Sequence, residues 1–195
     1  APAPAWPADP AKVFRYAFPI AETGFDPAEL SDLYSGNLIA NIFDTPLEYD
    51  YVARPLKLVP NTLAAMPEIT EEGTLYTMRV KPGIHFDNHP AFKGKKRELV
   101  AEDYVYSMKR LLDPKVRAYS VHVLENRLVG GDQAIAAARR SGKFDYDAPI
   151  EGLKALDRYT IRVRFDQPYF GFRHWLTTVQ FAPVAREVVD RHKDA

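Results

Sequence analysis

The stretch Ala101–Leu112, AEDYVYSMKRLL, decides how the rest of the chain is read. Val105, Met108 and Leu112 recur at helical spacing and draw an apolar stripe. Glu102 and Asp103 occupy the first turn, Lys109 and Arg110 the last, each opposite in sign to its end of the helix dipole. Asp113-Pro114 stops the helix. Downstream, Gly131–Gly142 predicts a short Ala-rich helix that ends on Arg139, Arg140 and a glycine cap. Upstream, Thr74–Val80 (TLYTMRV) alternates, with Tyr76, Met78 and Val80 on one side and turn residues at Glu71-Glu72-Gly73 and Pro82-Gly83. Tyr159–Phe165 (YTIRVRF) alternates too, with Ile161, Val163 and Phe165 inward and Arg162 and Arg164 outward. Further out, Val13–Phe18 predicts a strand with Phe14, Tyr16 and Phe18 on one face. Ser35–Phe43 predicts a helix, and Pro183 opens a final helix through His192. This order of elements gives an α/β class, or an α+β mix.

Composition narrows the functional classes. Lys+Arg and Asp+Glu balance at 26 each, so no net field draws nucleic acid or an anionic membrane, and no nucleic-acid partner is expected. The absence of cysteine excludes disulfides, thiol nucleophiles and thiolate-bound metals. No apolar run approaches the ~20 residues that span a bilayer. The opening Ala1-Pro2-Ala3-Pro4-Ala5, with Pro7 and Pro10, reads either as a leader left by signal-peptide cleavage or as an arbitrary boundary. The ending on RHKDA straight after a helix is awkward for an α/β sheet and suggests truncation.

Nucleotide-binding, metalloprotease and serine-hydrolase signatures are missing. The one tempting constellation is His85-Phe86-Asp87-Asn88-His89. In an extended segment His85, Asp87 and His89 share a face, which would suit zinc and a metal-dependent hydrolase. Asp-Asn-His-Pro is also turn chemistry, which spoils that alignment, and an exposed polar turn is the favoured reading. Glu71/Glu72 and Glu102/Asp103 fit turns and helix starts better than acid–base work. Lys93–Glu98 (KGKKRE) reads as a solvated loop. No catalytic residue and no cofactor is expected. Tyr34, Tyr49, Tyr51, Tyr104, Tyr106, Tyr119 and Trp175 are the aromatics available for a ligand cleft, and most of them are expected to pack in or near the core.

In order, these segments resemble the family 5 extracellular solute-binding proteins, the peptide-binding components of ABC importers. The resemblance is carried by Phe25-Asp26-Pro27, by Asn41-Ile42-Phe43-Asp44 with Leu47, and by Asn61–Ala65 followed by Pro67, where the family usually has Trp. It continues through Thr74–Ile84, through Ala101–Leu111 closed by Asp113-Pro114, and through Val163–Pro168 and Phe181-Ala182-Pro183-Val184. Asn88 stands where the family has the glycine of a tight turn, and Asn also tolerates positive φ.

The resemblance implies a class II periplasmic-binding-protein fold, here represented by parts of lobe I plus the family's extra domain, with the second lobe missing. Residues 1–44 would start lobe I, 45–150 form the extra domain and 151–195 return to lobe I. It implies capture of peptides or a related small solute and delivery to an ABC importer membrane permease, by a periplasmic monomer. Backbone contact with the ligand is implied at Ser31-Asp32-Leu33, and an aromatic contact at Tyr119. Helix N-capping competes for Ser31 and Asp32, and a surface-loop role for Tyr119. A non-transporting chaperone or interaction module on the same fold is the other alternative.

Overall fold

The computed structural model describes residues 11–192 apart from Phe14 and Tyr16. In chain order it contains α1 (Leu33–Ile39), β1 (Leu47–Tyr49), β2 (Leu58–Pro60), β3 (Glu68–Thr70), β4 (Leu75–Arg79) and α2 (Ala101–Leu112). There follow α3 (Gly131–Ser141), β5 (Leu153–Ala155), β6 (Thr160–Arg164), α4 (Phe172–Trp175) and α5 (Arg186–His192). Short 3-10 turns at Pro27–Glu29, Glu71–Gly73, Pro90–Phe92, Tyr119–Val123 and Val179–Phe181 link them.

The alternating strands find each other. β4 and β6 pair antiparallel, with Tyr76 opposite Val163 and Met78 opposite Ile161. β3 and β5 flank them, giving the antiparallel order β3-β4-β6-β5. One face carries Tyr76, Met78, Ile161 and Val163, all essentially inaccessible to water. α2 lies against β5 and β6. It is buried well beyond a single stripe: eleven of its twelve residues are covered, the polar Asp103, Ser107, Lys109 and Arg110 along with Tyr104, Tyr106 and Leu111. β1 and β2 form a separate hairpin, tied to α4 by the Leu47 N–H bond to the Leu176 carbonyl. Phe172 of α4 closes an aromatic cluster, with Tyr76 at 5.2 Å, Phe165 at 4.8 Å and Phe181 at 5.7 Å between ring centroids.

Several expectations change. Among Val13, Arg15, Ala17 and Phe18 no strand forms, and Val13 is exposed, so no sheet face is available to bury it; Phe14 and Tyr16 lie outside the described residues. α1 starts two residues earlier than its apolar spacing suggests, because Asp32 caps it, and ends at Ile39 in a series of turn bonds. Asn88 is absent from the residues with positive φ, which near this loop are Lys93 at 51° and Gly94 at 76°. The loop turns there instead. Arg97, expected in a solvated loop, makes a two-pronged bond to Asp103 and reaches Glu187 at 2.8 Å.

Candidate functional site

The site is built outward from the Asp26-Pro27 element. The Asp26 carboxylate accepts the Ala28 N–H at 3.0 Å and starts the 3-10 turn. The same carboxylate receives both arms of Arg110, at 2.8 and 2.5 Å. Arg110 sits in the last turn of α2 with its side chain almost wholly buried. This ion pair fastens the 27–29 turn to α2, and that turn also packs against the Tyr119–Val123 and Val179–Phe181 turns. The two segments singled out in the sequence, Ser31–Leu33 and Tyr119, are therefore attached to one shared support.

Backbone conformation at the first segment is extended at Leu30 (φ −59°, ψ 122°) and Asp32 (φ −126°, ψ 156°). Ser31 and Leu33 are exposed, Leu33 at 71%. Asp32 is the N-cap of α1: its carboxylate accepts the Ser35 N–H at 2.8 Å and the Thr23 hydroxyl at 2.6 Å. Its hydrogen bonds, those of Ser35 and Thr23 foremost, hold its pKa at about 2, so the cap is a carboxylate at any physiological pH. The competing capping role is thus present for Asp32.

Tyr119 is 69% exposed at the start of its turn. Its ring meets the His122 ring edge-on at 5.7 Å, and His122 meets Trp175 at 5.3 Å. Nδ1 of His122 donates to the Tyr119 carbonyl at 2.9 Å, which fixes the imidazole across the turn. Beside Trp175 in sequence, His174 stacks on Tyr49, whose hydroxyl lies 3.0 Å from its Nδ1. The Leu47–Leu176 backbone bond puts these two rings together. A row of partly exposed rings thus runs from Tyr119 toward the β1–β2 hairpin. A cleft of about 670 Å³, lined by Glu29, Pro114, Lys115, Val116 and Arg117, opens between the 27–29 turn and the loop after α2.

Of the other aromatics, Tyr104 and Tyr106 are core residues and Tyr51 is 92% exposed on the hairpin loop. Burial pushes the Tyr104 hydroxyl pKa well up, and the hydroxyl is hydrogen-bonded to that of Thr62. His122 and His174 escape a reading by motif, since their partners come from distant segments. The spacing of three between Tyr119 and His122 was the available signal.

The histidine constellation does not assemble as a three-ligand site. Nδ1 of His85 donates to the Gly83 carbonyl, and His89 caps the 90–92 turn by accepting the Ala91 N–H at 3.2 Å. Among the described residues no group of three His, Asp or Glu side chains is arranged to hold a metal. No helix among them is long and apolar enough to cross a membrane.

Residues 57–195 match the family model of bacterial extracellular solute-binding proteins, family 5. The probable deoxycholate-binding periplasmic protein YgiS of Escherichia coli is 25% identical over 97% of this chain and 32% of its own length. The dipeptide-binding protein of Lactococcus lactis is 26% identical over 93% of the chain and 30% of its own. The chain thus spans about a third of these relatives' length. Among solved structures, Haemophilus influenzae OppA in complex with the peptide RPPGFSPFR superposes with a TM-score of 0.70, at 22% identity, over 88% of this chain and 30% of that one. The pheromone receptor PrgZ gives 0.69, at 22% identity, over 87% and 30%. The mixed α/β architecture is that of the periplasmic peptide-binding fold. With the family model covering well over half of its residues, the chain belongs to the bacterial extracellular solute-binding proteins, family 5.

Proposed function

We propose that this chain forms part of a solute-binding protein that captures peptides or a related small solute outside the cytoplasmic membrane and hands it to the permease of an ABC importer. It binds and does not catalyse. The observation that carries the reading is the family match over residues 57–195. The names of the relatives, one for a dipeptide and one for deoxycholate, support a ligand range wider than peptides.

In this reading, Ser31, Asp32 and Leu33 offer main chain to an extended ligand, and Tyr119 covers it with its ring. Two features support it. The backbone is extended on both sides of exposed Ser31, as strand-like addition of a peptide requires. Asp32 has its carboxylate committed to α1, so its contribution to a ligand is backbone rather than charge. Division of the chain near residues 44 and 150 belongs to the same proposal, with one refinement. The pairing of β6 with β4 supports keeping β6 with the middle segment, so that this reading moves the second boundary past Arg164.

The test is native mass spectrometry of a longer protein containing this chain, purified without denaturation, followed by titration with a peptide library. A co-purifying peptide or small solute is expected, and Tyr119→Ala weakens its binding about tenfold, in keeping with loss of an aromatic contact. A protein that emerges empty and binds no library member would refute the transport reading.

A further inference from the structure

The histidine motif at residues 85–89 finds a partner that its spacing does not suggest. Nε2 of His89 lies 3.4 Å from Nε2 of His192 in α5, with the ring centroids 5.3 Å apart and the planes at 69°. His192 is exposed and His89 half-buried, and the Pro90–Phe92 turn packs directly on α5. Arg97 holds α5 from the same side through Glu187 at 2.8 Å. The separation is long for a hydrogen bond between two ring nitrogens.

It matches a different chemistry. With bonds of ~2.0–2.1 Å at the tetrahedral angle, two nitrogens on one zinc-like ion lie ~3.3–3.4 Å apart. Their ring centroids, ~1.15 Å behind each nitrogen, then lie ~5.1–5.3 Å apart. Both separations fit. We propose that His89 and His192 form a two-imidazole site for a divalent first-row transition ion of the Zn²⁺ or Cu²⁺ class, joining the 89–92 turn to α5.

Imidazole suits these ions, and water completes the coordination, since no third His, Asp or Glu gathers there among the described residues. His85 stays outside, with Nδ1 bonded to the Gly83 carbonyl. Binding at Nε2 moves the ring proton of His89 to Nδ1. That nitrogen then releases the Ala91 N–H it now accepts, which gives the site a local signature.

The chain is titrated with Zn²⁺ by calorimetry and with Cu²⁺ by electron paramagnetic resonance. The expected result is one ion per chain, coupling to two imidazole nitrogens, and a shift of the Ala91 amide resonance. His89→Ala and His192→Ala each lower affinity at least tenfold, whereas His85→Ala leaves it unchanged. Circular dichroism checks that each variant is folded, and His192, exposed near the end of α5, is the substitution least coupled to the core. Absence of saturable binding, undiminished affinity in either single variant, or loss of binding in His85→Ala overturns the proposal.

Discussion

At Arg110, a side chain that local reasoning gives to the helix dipole does a different task. It is buried in the last turn of α2, and its charge is matched by Asp26 from 84 residues away. Its neighbour Lys109 is buried as well and bonds the carbonyls of Tyr146 and Ala148 at 2.8 and 2.9 Å. Such roles cannot be seen in a helical window, because the partners are brought in by the fold. Asp26→Ala leaves a buried guanidinium without its carboxylate, and is expected to lower the unfolding free energy by about 3 kcal/mol. Urea denaturation measures it, and Asp26→Ala combined with Arg110→Met should recover most of the loss. Glu98 gives a pH signature. It accepts from Arg158, from the Gly83 N–H and from the Tyr159 hydroxyl, and these, Arg158 first, lower its pKa from 4.5 to about 2. A carboxyl depressed by folding contributes stability above its unfolded pKa, and loses it as pH falls through the folded value. Wild type should therefore lose stability relative to Glu98→Gln between about pH 5 and pH 2, with no such relative change above that window, as thermal melts at each pH would show.

Elements with strong internal periodicity were the legible ones. β4, α2, α3 and β6 lie where Thr74–Val80, Ala101–Leu112, Gly131–Gly142 and Tyr159–Phe165 predict them, to within a residue or so. Three-residue strands such as β1, β2, β3 and β5 carry too little pattern to be recognised alone, and exist because a partner strand completes their hydrogen bonds. The reverse holds where the alternation of Val13–Phe18 predicts a strand: none forms among Val13, Arg15, Ala17 and Phe18, and Phe18 instead meets the Tyr34 ring at 5.9 Å. The candidate site is proposed from resemblance, since Ser31 and Tyr119 reach a shared support through the Asp26–Arg110 link rather than through spacing. Gly152 shows how tightly the β5–β6 region is assembled. A methyl group there would lie 2.6 Å from the Arg164 carbonyl oxygen and 2.7 Å from that of Val129. Gly152 also bonds both segments, donating to Val129 at 2.8 Å and accepting from Arg164 at 2.7 Å. Gly152→Ala is expected to destabilise by about 3 kcal/mol, because backbone rather than a flexible side chain must move. A lower denaturation midpoint with unchanged m-value would be the sign.

For the whole molecule, the relevant quantity is how much of a ligand this chain can enclose. The cleft beside the 27–29 turn is shallow in its lining, which consists of Glu29 and residues 114–117. Small-molecule sites of high affinity bury most of the ligand surface. On the proposed function, the chain of 195 residues is expected to bind a solute at least about tenfold more weakly than a longer protein of its relatives' length. Fluorescence titration of the two proteins side by side makes the comparison. Equal affinity would locate the entire binding surface within these residues.

The strand order also has a consequence in time. Met78 faces Ile161 across the β4–β6 pair, so a strand made early must await one made 83 positions later (161 − 78). At ~5–20 residues per second of synthesis, β4 spends roughly 4–17 s with an unpaired edge. During that interval Tyr76 and Met78, inaccessible in the finished protein, have no sheet to cover them. A chain ending before residue 164 would keep that edge open, the condition under which partly made chains aggregate, and would be a sticky product rather than a smaller version of the fold.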